Sequence, residues 1–431
     1  MLSSVSFILD GRLTTVDFGP GSGLSPTTTV LQYLRSDPRH RGVKEGCAEG
    51  DCGACTVVLA REEEGGLVYE AVDSCLLFLP MLHRRQLITV ENLRGPDGRL
   101  HPVQQAMVDA FGSQCGFCTP GIVMSLFALC KESASRGEDH LRSALAGNLC
   151  RCTGYRPILD AARSVCAART ADHFAAEEQN TLAMLGAIPH GNITILSGSG
   201  CYHRPAAWER ALSLRGEHPD AIVLNGATDV ALRVTKLHES LPLILDLSGV
   251  GEIRDIRVTP RGSFLGSGLT VSQAEEHART HLRWLSPVLE TFGSRQIRNT
   301  ATLGGNIATA SPVGDLLPML MASEASIHLE ESGAAREVPA SEFVIGYRKT
   351  ACRARELIRG VAIARLPAGS VVRWYKLSRR SDVDIATVSA AFRLDLDGSG
   401  RVAHIVLAYG GMAARTERAR RTEDCLRGKP W

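Results

Sequence analysis

Two groups of cysteines carry the clearest chemical signal in the sequence. The first group reads Cys47-x4-Cys52-x2-Cys55 and continues to Cys75, and four glycines lie between residues 42 and 55. This is the spacing of plant-type 2Fe–2S ferredoxins, in which four thiolates hold a small inorganic core. Glycine suits such a loop because it lacks a side chain and lets backbone amides approach the core. Structural zinc is the main alternative, although zinc usually takes two well-separated cysteine pairs.

The second cysteine group reads Cys115-x2-Cys118 and, thirty-one residues later, Cys150-x-Cys152. Four thiolates suit zinc as well as an iron–sulfur core, so this spacing alone leaves both metals open. Five further cysteines have no partner at a metal-binding spacing, and we predict that they are small buried apolar residues: Cys130, Cys166, Cys201, Cys352 and Cys425.

Two glycine-containing loops in the second half could bind phosphate. Residues 224–229 follow a predicted strand, and residues 303–312 add hydroxyl and amide donors. Backbone amides and helix N-termini attract anions, although most such loops are simply turns. A G-x-G-x-x-G motif after a strand and a P-loop motif are both missing from the sequence, which argues against a Rossmann site and a P-loop NTPase.

The elements that must position these residues change along the chain. Residues 1–92 are strand-rich, with a hairpin that turns at Asp10-Gly11. The predicted elements here are strands at 5–9, 13–18, 56–60, 67–72 and 87–90 and a helix at 29–36. Residues 93–169 predict a bundle of four short helices, at 101–111, 121–133, 140–146 and 157–168. Thr119 is the predicted N-cap of the second of these, with Pro120 in its first turn.

The rest of the chain predicts mixed helix and strand after a weakly patterned linker at 170–192 with room for one short helix. The expected strands are 222–225, 243–247, 264–266, 371–377 and 402–409, and the expected helix is 272–281. The domains follow as 1–92, 93–169, 193–368 and 369–431, in an α+β multidomain chain.

Composition excludes several classes of partner. The chain has 431 residues, with 48 Lys plus Arg against 46 Asp plus Glu, a net charge of +2. That balance argues against nucleic acid or anionic lipid as a partner, and no apolar run is long enough to cross a membrane. The first residues lack the pattern of a signal peptide, so we expect a cytoplasmic protein. In that compartment thirteen cysteines favour metal over disulfides.

Three stretches together resemble the molybdenum hydroxylases: Gly42 to Cys55, Gln114 to Gly121 and Gly147 to Tyr155. The resemblance implies a β-grasp ferredoxin domain and a four-helix domain, each with one 2Fe–2S cluster. It implies that Cys47, Cys52, Cys55 and Cys75 hold the cluster nearer a flavin. It further implies that Cys115, Cys118, Cys150 and Cys152 hold the cluster nearer molybdenum. Gln114 matches a residue that touches the pterin of the molybdenum cofactor in a partner.

The second half resembles the FAD domain of the same family, of the PCMH/vanillyl-alcohol-oxidase type, followed by a partial C-terminal α/β unit. The resemblance implies that these residues bind FAD: Val223, Leu224, Asn225, Gly226, Ala227, Thr228, Asp229, Val230, Phe292, Thr302, Gly304, Gly305, Asn306, Asp315, Leu357, Ile358 and Lys376. It places Tyr347 and Asp384 near a nicotinamide site. Without the family, Phe292 is equally well a core residue, and Lys376 belongs with Arg379 and Arg380 to a solvated basic face.

The domain order is similar to that of the small iron–sulfur/FAD subunit in the xanthine dehydrogenase family. That resemblance implies no catalytic residue in this chain and a large molybdopterin-binding partner, in a heterotetramer of two small and two large subunits. Electrons from purine oxidation would pass through both clusters to FAD and then to NAD, although the sequence does not decide between NAD and dioxygen. Three alternatives stay open: an aldehyde- or CO-oxidising assembly, a self-contained NADH-oxidising ferredoxin-flavoprotein, and a zinc-binding scaffold.

Overall fold

The computed structural model describes residues 2–132, 137–168, 171–198 and 200–431. The chain forms two compact units. The first contains Met1–His203, Ala227–Ile244 and Gly293–Thr300, and the second contains Arg204–Gly226, Leu245–Phe292 and Ala301–Trp431. Within the described ranges, none of the helices combines the length and apolar content that a membrane span requires.

The first unit opens with a five-stranded sheet. Its elements are β1 Ser4–Leu9, β2 Arg12–Asp17, α1 Val30–Ser36, β3 Thr56–Glu63, β4 Gly66–Asp73 and β5 Gln86–Ile88, with 3-10 turns at Pro38–His40, Leu79–Leu82 and Glu91–Leu93. The strand order is β2-β1-β5-β3-β4, and β1 and β5 run parallel. The predicted hairpin is confirmed, with φ of 49° at Asp10 and 76° at Gly11. The glycine-containing stretch before β3 has no regular secondary structure, which leaves it free to wrap a ligand.

Four helices follow the sheet and pack on one another, as the sequence predicts. They are α2 Pro102–Asp109, α3 Thr119–Lys131, α4 Glu138–Leu145 and α5 Arg156–Ala168. Helix α3 is the central one because nine consecutive residues from Gly121 to Leu129 are buried. The prediction of Thr119 as its N-cap is wrong: Cys118 holds that position, and the Thr119 hydroxyl bonds Ser113 instead. The predicted end at Ser133 lies outside the described residues.

The predicted linker contains two helices rather than one. Helix α6 His173–Ala176 precedes α7 Glu178–Ala187. Asp172 caps α6 by accepting a hydrogen bond from the Ala175 amide, and Thr181 and Leu185 of α7 are buried. The weak pattern of this stretch hides the helices because only a few of its positions contribute to the core.

The remaining elements belong to mixed helix and strand structure. They begin with β6 Ile193–Ser197, β7 Gly200–Arg204, α8 Trp208–Glu217, β8 Ile222–Leu224, α9 Val230–Thr235, β9 Leu243–Asp246, β10 Ile256–Thr259, β11 Gly262–Gly266, α10 Val271–His281, α11 Ser286–Glu290, α12 Arg295–Arg298, α13 Leu303–Thr309 and α14 Leu316–Ala322, with 3-10 turns at Leu247–Gly249 and Gly251–Arg254. They continue with β12 Ser326–Glu331, β13 Ala334–Pro339, α15 Ala340–Phe343, β14 Val344–Gly346, β15 Lys349–Thr350, β16 Leu357–Ala364, β17 Val371–Leu377, β18 Val388–Leu396, β19 Val402–Gly410, β20 Glu417–Arg418 and α16 Arg420–Leu426.

These strands form three larger sheets and one short pair. The sheet orders are β6-β7-β9-β8, β10-β11-β16-β12-β13 and β17-β18-β19-β20, and β14 pairs with β15. The sheet from β17 to β20 is antiparallel throughout. Helix α14 packs on its β18 and β19 strands, and every residue of α14 is buried. This packing holds the residue before α14, Asp315, close to the β17 strand.

Candidate metal and cofactor sites

The first cysteine group lies in the loop before β3 and just after β4. Cys55 and Cys75 are buried, and their sulfurs are 3.4 Å apart. Cys47 and Cys52 are half-buried and also bond one another through their thiols. The amides of Glu49 and Asp51 point at the Cys47 sulfur, at 3.4 and 3.3 Å. The loop therefore already directs backbone donors at a ligand sulfur.

These donors favour the thiolate of Cys47. The Cys52 thiol and the nearby amides donate to the Cys47 sulfur and, against the effect of burial, lower the pKa of Cys47 to about 5. A thiolate, not a thiol, is the form that binds a metal. Cys47 is thus prepared as a ligand by its own loop.

The second cysteine group joins the start of α3 to the loop before α5. The Cys115 thiol bonds that of Cys152, and the Cys118 thiol bonds that of Cys150. Burial alone raises the pKa of Cys150, but the Thr153 hydroxyl, 3.2 Å from its sulfur, and nearby amides reverse the shift and lower it. Cys115 and Cys152 are exposed, whereas Cys150 is buried.

Both groups fit a 2Fe–2S cluster by their donor sets. Each group supplies four thiols as two contacting pairs, and a 2Fe–2S cluster takes two thiolates at each of its irons. In the part of the chain that the structure describes, no three His, Cys, Asp or Glu side chains converge on a single-ion site. Each of the eight cysteines that the sequence singles out belongs to one of these four pairs.

The two cysteine loops touch through their backbones. The Leu149 amide donates to the Cys52 carbonyl at 3.0 Å, and the Asn148 side chain donates to the Gly53 carbonyl at 3.0 Å. Gly53 has a φ of +66°, and a Cβ at this position would overlap the Gly147 carbonyl. A side chain at Gly53 would therefore separate the loops. The sequence motif marks this glycine but not its partner across the contact.

Gln296 of α12 completes this contact from a distant part of the chain. Its side chain is fully buried, and its Nε2 donates to Asn148 Oδ1 at 2.9 Å and to Ser125 Oγ at 3.1 Å. The Ser125 hydroxyl also donates to Asn148 Oδ1, at 2.6 Å. Sequence reasoning missed Gln296 because a single glutamine in a short helix carries no metal or nucleotide motif.

A cavity of about 270 Å³ in the second unit gathers many of the predicted flavin residues. Those that line it are Val223, Leu224, Asn225, Thr302, Gly304, Gly305, Leu357 and Ile358. Arg215, Ser267 and Cys352 line it as well and were not predicted. Strand β8, strand β16 and the start of α13 therefore all contribute residues to the lining of the cavity.

The cavity wall carries polar atoms that suit a dinucleotide. The Ser267 hydroxyl and the Arg215 Nε are buried, and neither has a hydrogen-bond partner among the described residues. A Cβ on Gly304 would lie 2.6 Å from that of Ser267, so only glycine lets α13 start this close. Unsatisfied donors beside an otherwise largely apolar wall fit the phosphate and sugar oxygens of FAD.

The other predicted flavin residues lie elsewhere. Gly226 ends its segment of the second unit without lining the cavity, and Ala227, Thr228, Asp229 and Val230 belong to the first unit, at the start of α9. Phe292, Asn306, Asp315 and Lys376 are also outside the cavity lining. Tyr347 is exposed, and Asp384 accepts a hydrogen bond from the Arg380 amide at 2.9 Å.

Lys376 and Asp315 form a buried ion pair. Lys376 Nζ lies 2.6 Å from Asp315 Oδ2 and 3.3 Å from the Thr291 carbonyl, and both side chains are less than a tenth exposed. Burial raises the pKa of Asp315, although the Lys376 ammonium opposes the shift. The solvated face expected without the family is therefore wrong for Lys376, whereas Arg379 and Arg380 are exposed.

The five remaining cysteines are not the buried apolar residues that the sequence predicts. Cys425 is exposed, and the other four are half-buried. The Cys130 and Cys166 sulfurs lie 3.6 Å apart on helices α3 and α5. Spacing cannot reveal this contact because helix packing, not a local loop, brings the two thiols together.

Three families match successive parts of the chain. The 2Fe-2S binding domain matches residues 89–163. The FAD binding domain in molybdopterin dehydrogenase matches residues 195–366. The CO dehydrogenase flavoprotein C-terminal domain matches residues 373–431. The predicted 2Fe–2S and FAD cofactors are confirmed at the level of these domains.

Curated relatives align with nearly the whole chain. Xanthine dehydrogenase 1 of Arabidopsis thaliana is 32% identical over 94% of this chain and 35% of its own length. Xanthine dehydrogenase/oxidase of Mus musculus is 32% identical over 94% of this chain and 34% of its own length. The chain thus spans about a third of the length of these relatives.

Solved structures resemble a smaller part of the chain. Carbon monoxide dehydrogenase from Hydrogenophaga pseudoflava matches with a TM-score of 0.50 and 28% identity, over 53% of this chain and 80% of that chain. Reconstituted CO dehydrogenase from Oligotropha carboxidovorans matches with a TM-score of 0.50 and 26% identity, over 55% and 82%.

Proposed function

We propose that this chain, a member of the molybdenum hydroxylase family, is the iron–sulfur and flavin subunit of a cytoplasmic xanthine dehydrogenase. It would receive electrons from a partner's molybdenum centre, where hypoxanthine and xanthine are oxidised to urate, and deliver them to NAD. When bound, the two 2Fe–2S clusters carry single electrons, and FAD collects two and passes a hydride to NAD. No residue of this chain acts on the purine.

The contact between the two cysteine loops carries the proposal. Cys52 and Cys150 are proposed ligands of different clusters, and the hydrogen bond from the Leu149 amide to the Cys52 carbonyl links them through one intervening residue. A short bonded path of this kind suits electron transfer between two metal groups. Two structural zinc sites exchange no electrons and would not require such a path. Asn148 holds the first loop through its bond to the Gly53 carbonyl, and Gln296 holds the Asn148 side chain in place.

The chain's own groups prepare each proposed site. In the first, the Glu49 and Asp51 amides donate to the Cys47 sulfur and stabilise its negative charge. In the second, the Thr153 hydroxyl does the same for Cys150. At the flavin cavity, Ser267 and Arg215 offer donors to the phosphate and sugar oxygens. The residues proposed from the sequence for FAD outside this cavity remain proposals.

We assign the molybdenum partner to the exposed side of the second cysteine group. Cys115 and Cys152 are exposed there. Phe111 is 84% exposed, Phe117 47% and Leu149 44%, and a partner surface would bury these apolar side chains. A large molybdopterin-binding chain that covers them would lie beside the second cluster. Gln114, also exposed, would meet the pterin, in a proposed heterotetramer of two small and two large chains.

The extent of the similarities favours xanthine over carbon monoxide or an aldehyde. The xanthine dehydrogenases align with 94% of this chain, so they carry both of its units on one polypeptide. The CO dehydrogenase chains align with 53% and 55% of it. An aldehyde- or CO-oxidising assembly is the second candidate because the solved CO dehydrogenase chains resemble about half of this chain.

Co-purification with the partner tests the proposal. The tagged chain is produced together with its natural large subunit, purified without oxygen, and mixed with xanthine while the visible spectrum is recorded. We expect molybdenum in the complex, bleaching of the cluster and flavin absorption by xanthine, and recovery of colour with NAD. Bleaching by carbon monoxide or an aldehyde but not by xanthine would support the second candidate.

The chain alone separates the remaining alternatives. Purified without a partner, it should contain about four irons and bind FAD, and NADH should bleach its visible absorption. A colourless protein with two zinc ions would reject the electron-transfer proposal in favour of a scaffold. A chain that NADH reduces but that never joins a molybdenum protein would indicate the self-contained NADH-oxidising flavoprotein.

A further inference from the structure

We propose that Cys130 and Cys166 form a redox-active dithiol that a small disulfide such as oxidised glutathione converts into a disulfide between helices α3 and α5. This pair is separate from the eight proposed cluster ligands, and its chemistry does not depend on the proposed function. Cys130 is the second-last residue of α3, and Cys166 is the third-last of α5.

The geometry places the two sulfurs ready to react. They are 3.6 Å apart and belong to residues 36 positions apart in the chain. A disulfide bond is about 2.05 Å long, so the sulfurs must approach by about 1.5 Å. Side-chain rotation at the ends of two packed helices can supply most of that movement. Both residues are half-buried, so a small reagent reaches them, whereas a larger oxidant reaches mainly the exposed thiols.

One of the two thiols is suited to begin the reaction. The hydrogen bond from the Cys130 thiol lowers the pKa of Cys166, although burial opposes the shift. The Cys166 thiolate is therefore the expected nucleophile, since thiolates and not thiols attack disulfides. Cys130 is then positioned to attack the Cys166 sulfur of the mixed disulfide and displace the glutathione.

The exchange balances in two steps. The Cys166 thiolate attacks one sulfur of oxidised glutathione, the S–S bond of the reagent breaks, and one glutathione thiolate leaves. Cys130 loses its proton, attacks the Cys166 sulfur, and displaces the second glutathione. The two protein thiols give up two protons and two electrons, and the reagent is reduced to two glutathione molecules.

The disulfide would join two helices that also carry proposed cluster ligands. Cys118 is the N-cap of α3, and Cys152 lies four residues before α5 begins. The crosslink would tie the opposite ends of these helices together. Because it closes a loop of more than thirty residues, it restricts the unfolded chain and stabilises the folded helices.

Peptide mapping of the oxidised holoprotein tests the proposal. The purified protein is incubated with oxidised glutathione, free thiols are alkylated, and the digest is analysed by mass spectrometry. We expect a linked peptide pair containing Cys130 and Cys166, reversed by dithiothreitol, with no loss of iron. Cys130→Ser and Cys166→Ser should each abolish the link. Cys130→Ser should carry glutathione on Cys166, whereas Cys166→Ser should stay largely unmodified, because burial raises the pKa of the remaining Cys130 thiol. The matched control, Cys425→Ser, should keep the link because it removes an exposed, unrelated cysteine.

Two results would overturn the proposal. One is complete alkylation of Cys130 and Cys166 under conditions in which Cys425 carries glutathione. The other is a link from either residue to a proposed cluster ligand together with loss of iron. If Cys130→Ser fails to retain iron, Cys130→Ala serves in its place. Equilibrium unfolding in urea gives an independent readout: oxidation should raise the midpoint in the wild type and not in the variants.

Discussion

The eight proposed ligand cysteines differ as single residues, although the motifs treat them alike. Cys55 and Cys75 are almost completely buried, whereas Cys115 and Cys152 are exposed. Cys150 is also buried, and Cys47, Cys52 and Cys118 lie between these limits. The thiols of each site therefore differ in solvent exposure, which tunes how firmly they hold a metal.

Replacing one ligand should empty one site only. Cys150→Ser removes a buried thiol with a lowered pKa from the second group and leaves the first group's four thiols in place. We expect iron to fall by about half, since each 2Fe–2S cluster holds two irons, and one of two EPR signals to disappear. Cys425→Ser is the control and should keep all its iron. Survival of both signals in Cys150→Ser would show that the ligand assignment is wrong.

Removing the cation of the buried pair should weaken the second unit. Lys376→Met leaves the Asp315 carboxylate buried without its partner, at a cost of about 3 kcal/mol in the free energy of unfolding. FAD content should fall, and iron content should not change. The double variant Lys376→Met/Asp315→Asn should recover part of the loss because no buried charge remains. Urea titrations and cofactor analysis give both quantities, and equal loss of iron would indicate general misfolding.

Asp172 should make the first unit sensitive to acid. Burial raises the pKa of its carboxyl, but hydrogen bonds from His101 and Lys131, at 2.9 and 2.6 Å, outweigh burial, and the net shift is downward. A carboxyl with a lowered pKa contributes stability above its unfolded pKa of about 3.9, and this contribution disappears as the pH falls through the folded value.

Asp172→Asn therefore should cost about 2 kcal/mol in the free energy of unfolding at pH 7. The difference from the wild type should shrink below a pH of about 4, where the carboxyl of the unfolded wild-type chain takes up a proton while the folded carboxyl still holds its charge. Urea titrations of both proteins at several pH values measure it. A difference that stays constant as the pH falls to about 3 would contradict the role of the charge.

At the level of elements, the sequence predicts most of the first unit because its signals are local. The Asp10-Gly11 turn, the strand-forming residues of β3 and β4 and the apolar face of α2 each fit within a few residues. The contact that joins the two cysteine loops could not be predicted. It needs Gly53, Leu149 and Gln296 together, and no local pattern encodes their meeting.

The close approach of the two loops should depend on Gly53. Gly53→Ala adds a Cβ that overlaps the Gly147 carbonyl and strains a backbone at φ +66°. We expect loss of iron from both groups, measured as iron per chain. Gly65→Ala is the matched control, because Gly65 has a φ of +83° and open space around its Cβ. It should cost about 1 kcal/mol and keep its iron. Equal iron in the two variants would contradict the steric argument.

For the whole molecule, the sequence predicts successive domains, whereas the two compact units are built from interrupted segments. Residues Ala227–Ile244 and Gly293–Thr300 return to the first unit from within the flavin half. Such returns are long-range contacts, which neither composition nor periodicity records. They explain why Gln296 and Lys236 contact the cysteine loops although the sequence places both residues among flavin elements.

Two units with separate cores should unfold in two steps. We expect calorimetry of the holoprotein to show two transitions, because each unit buries its own apolar residues. Removing iron with a chelator should lower the midpoint of one transition, and removing FAD should lower mainly the other. A single transition that shifts as a whole under either treatment would contradict this expectation.

The uneven burial of the ligand thiols has a consequence for how the protein matures. Once β3, β4 and their connecting loops have closed, Cys55 and Cys75 are out of reach of any metal donor. We propose that the iron of this site arrives while the polypeptide is still open. The outward-facing Cys115 and Cys152 can be filled, or repaired, long after synthesis has finished. Biogenesis would then have a built-in order, with the inner site filled early and the outer site open to later renewal.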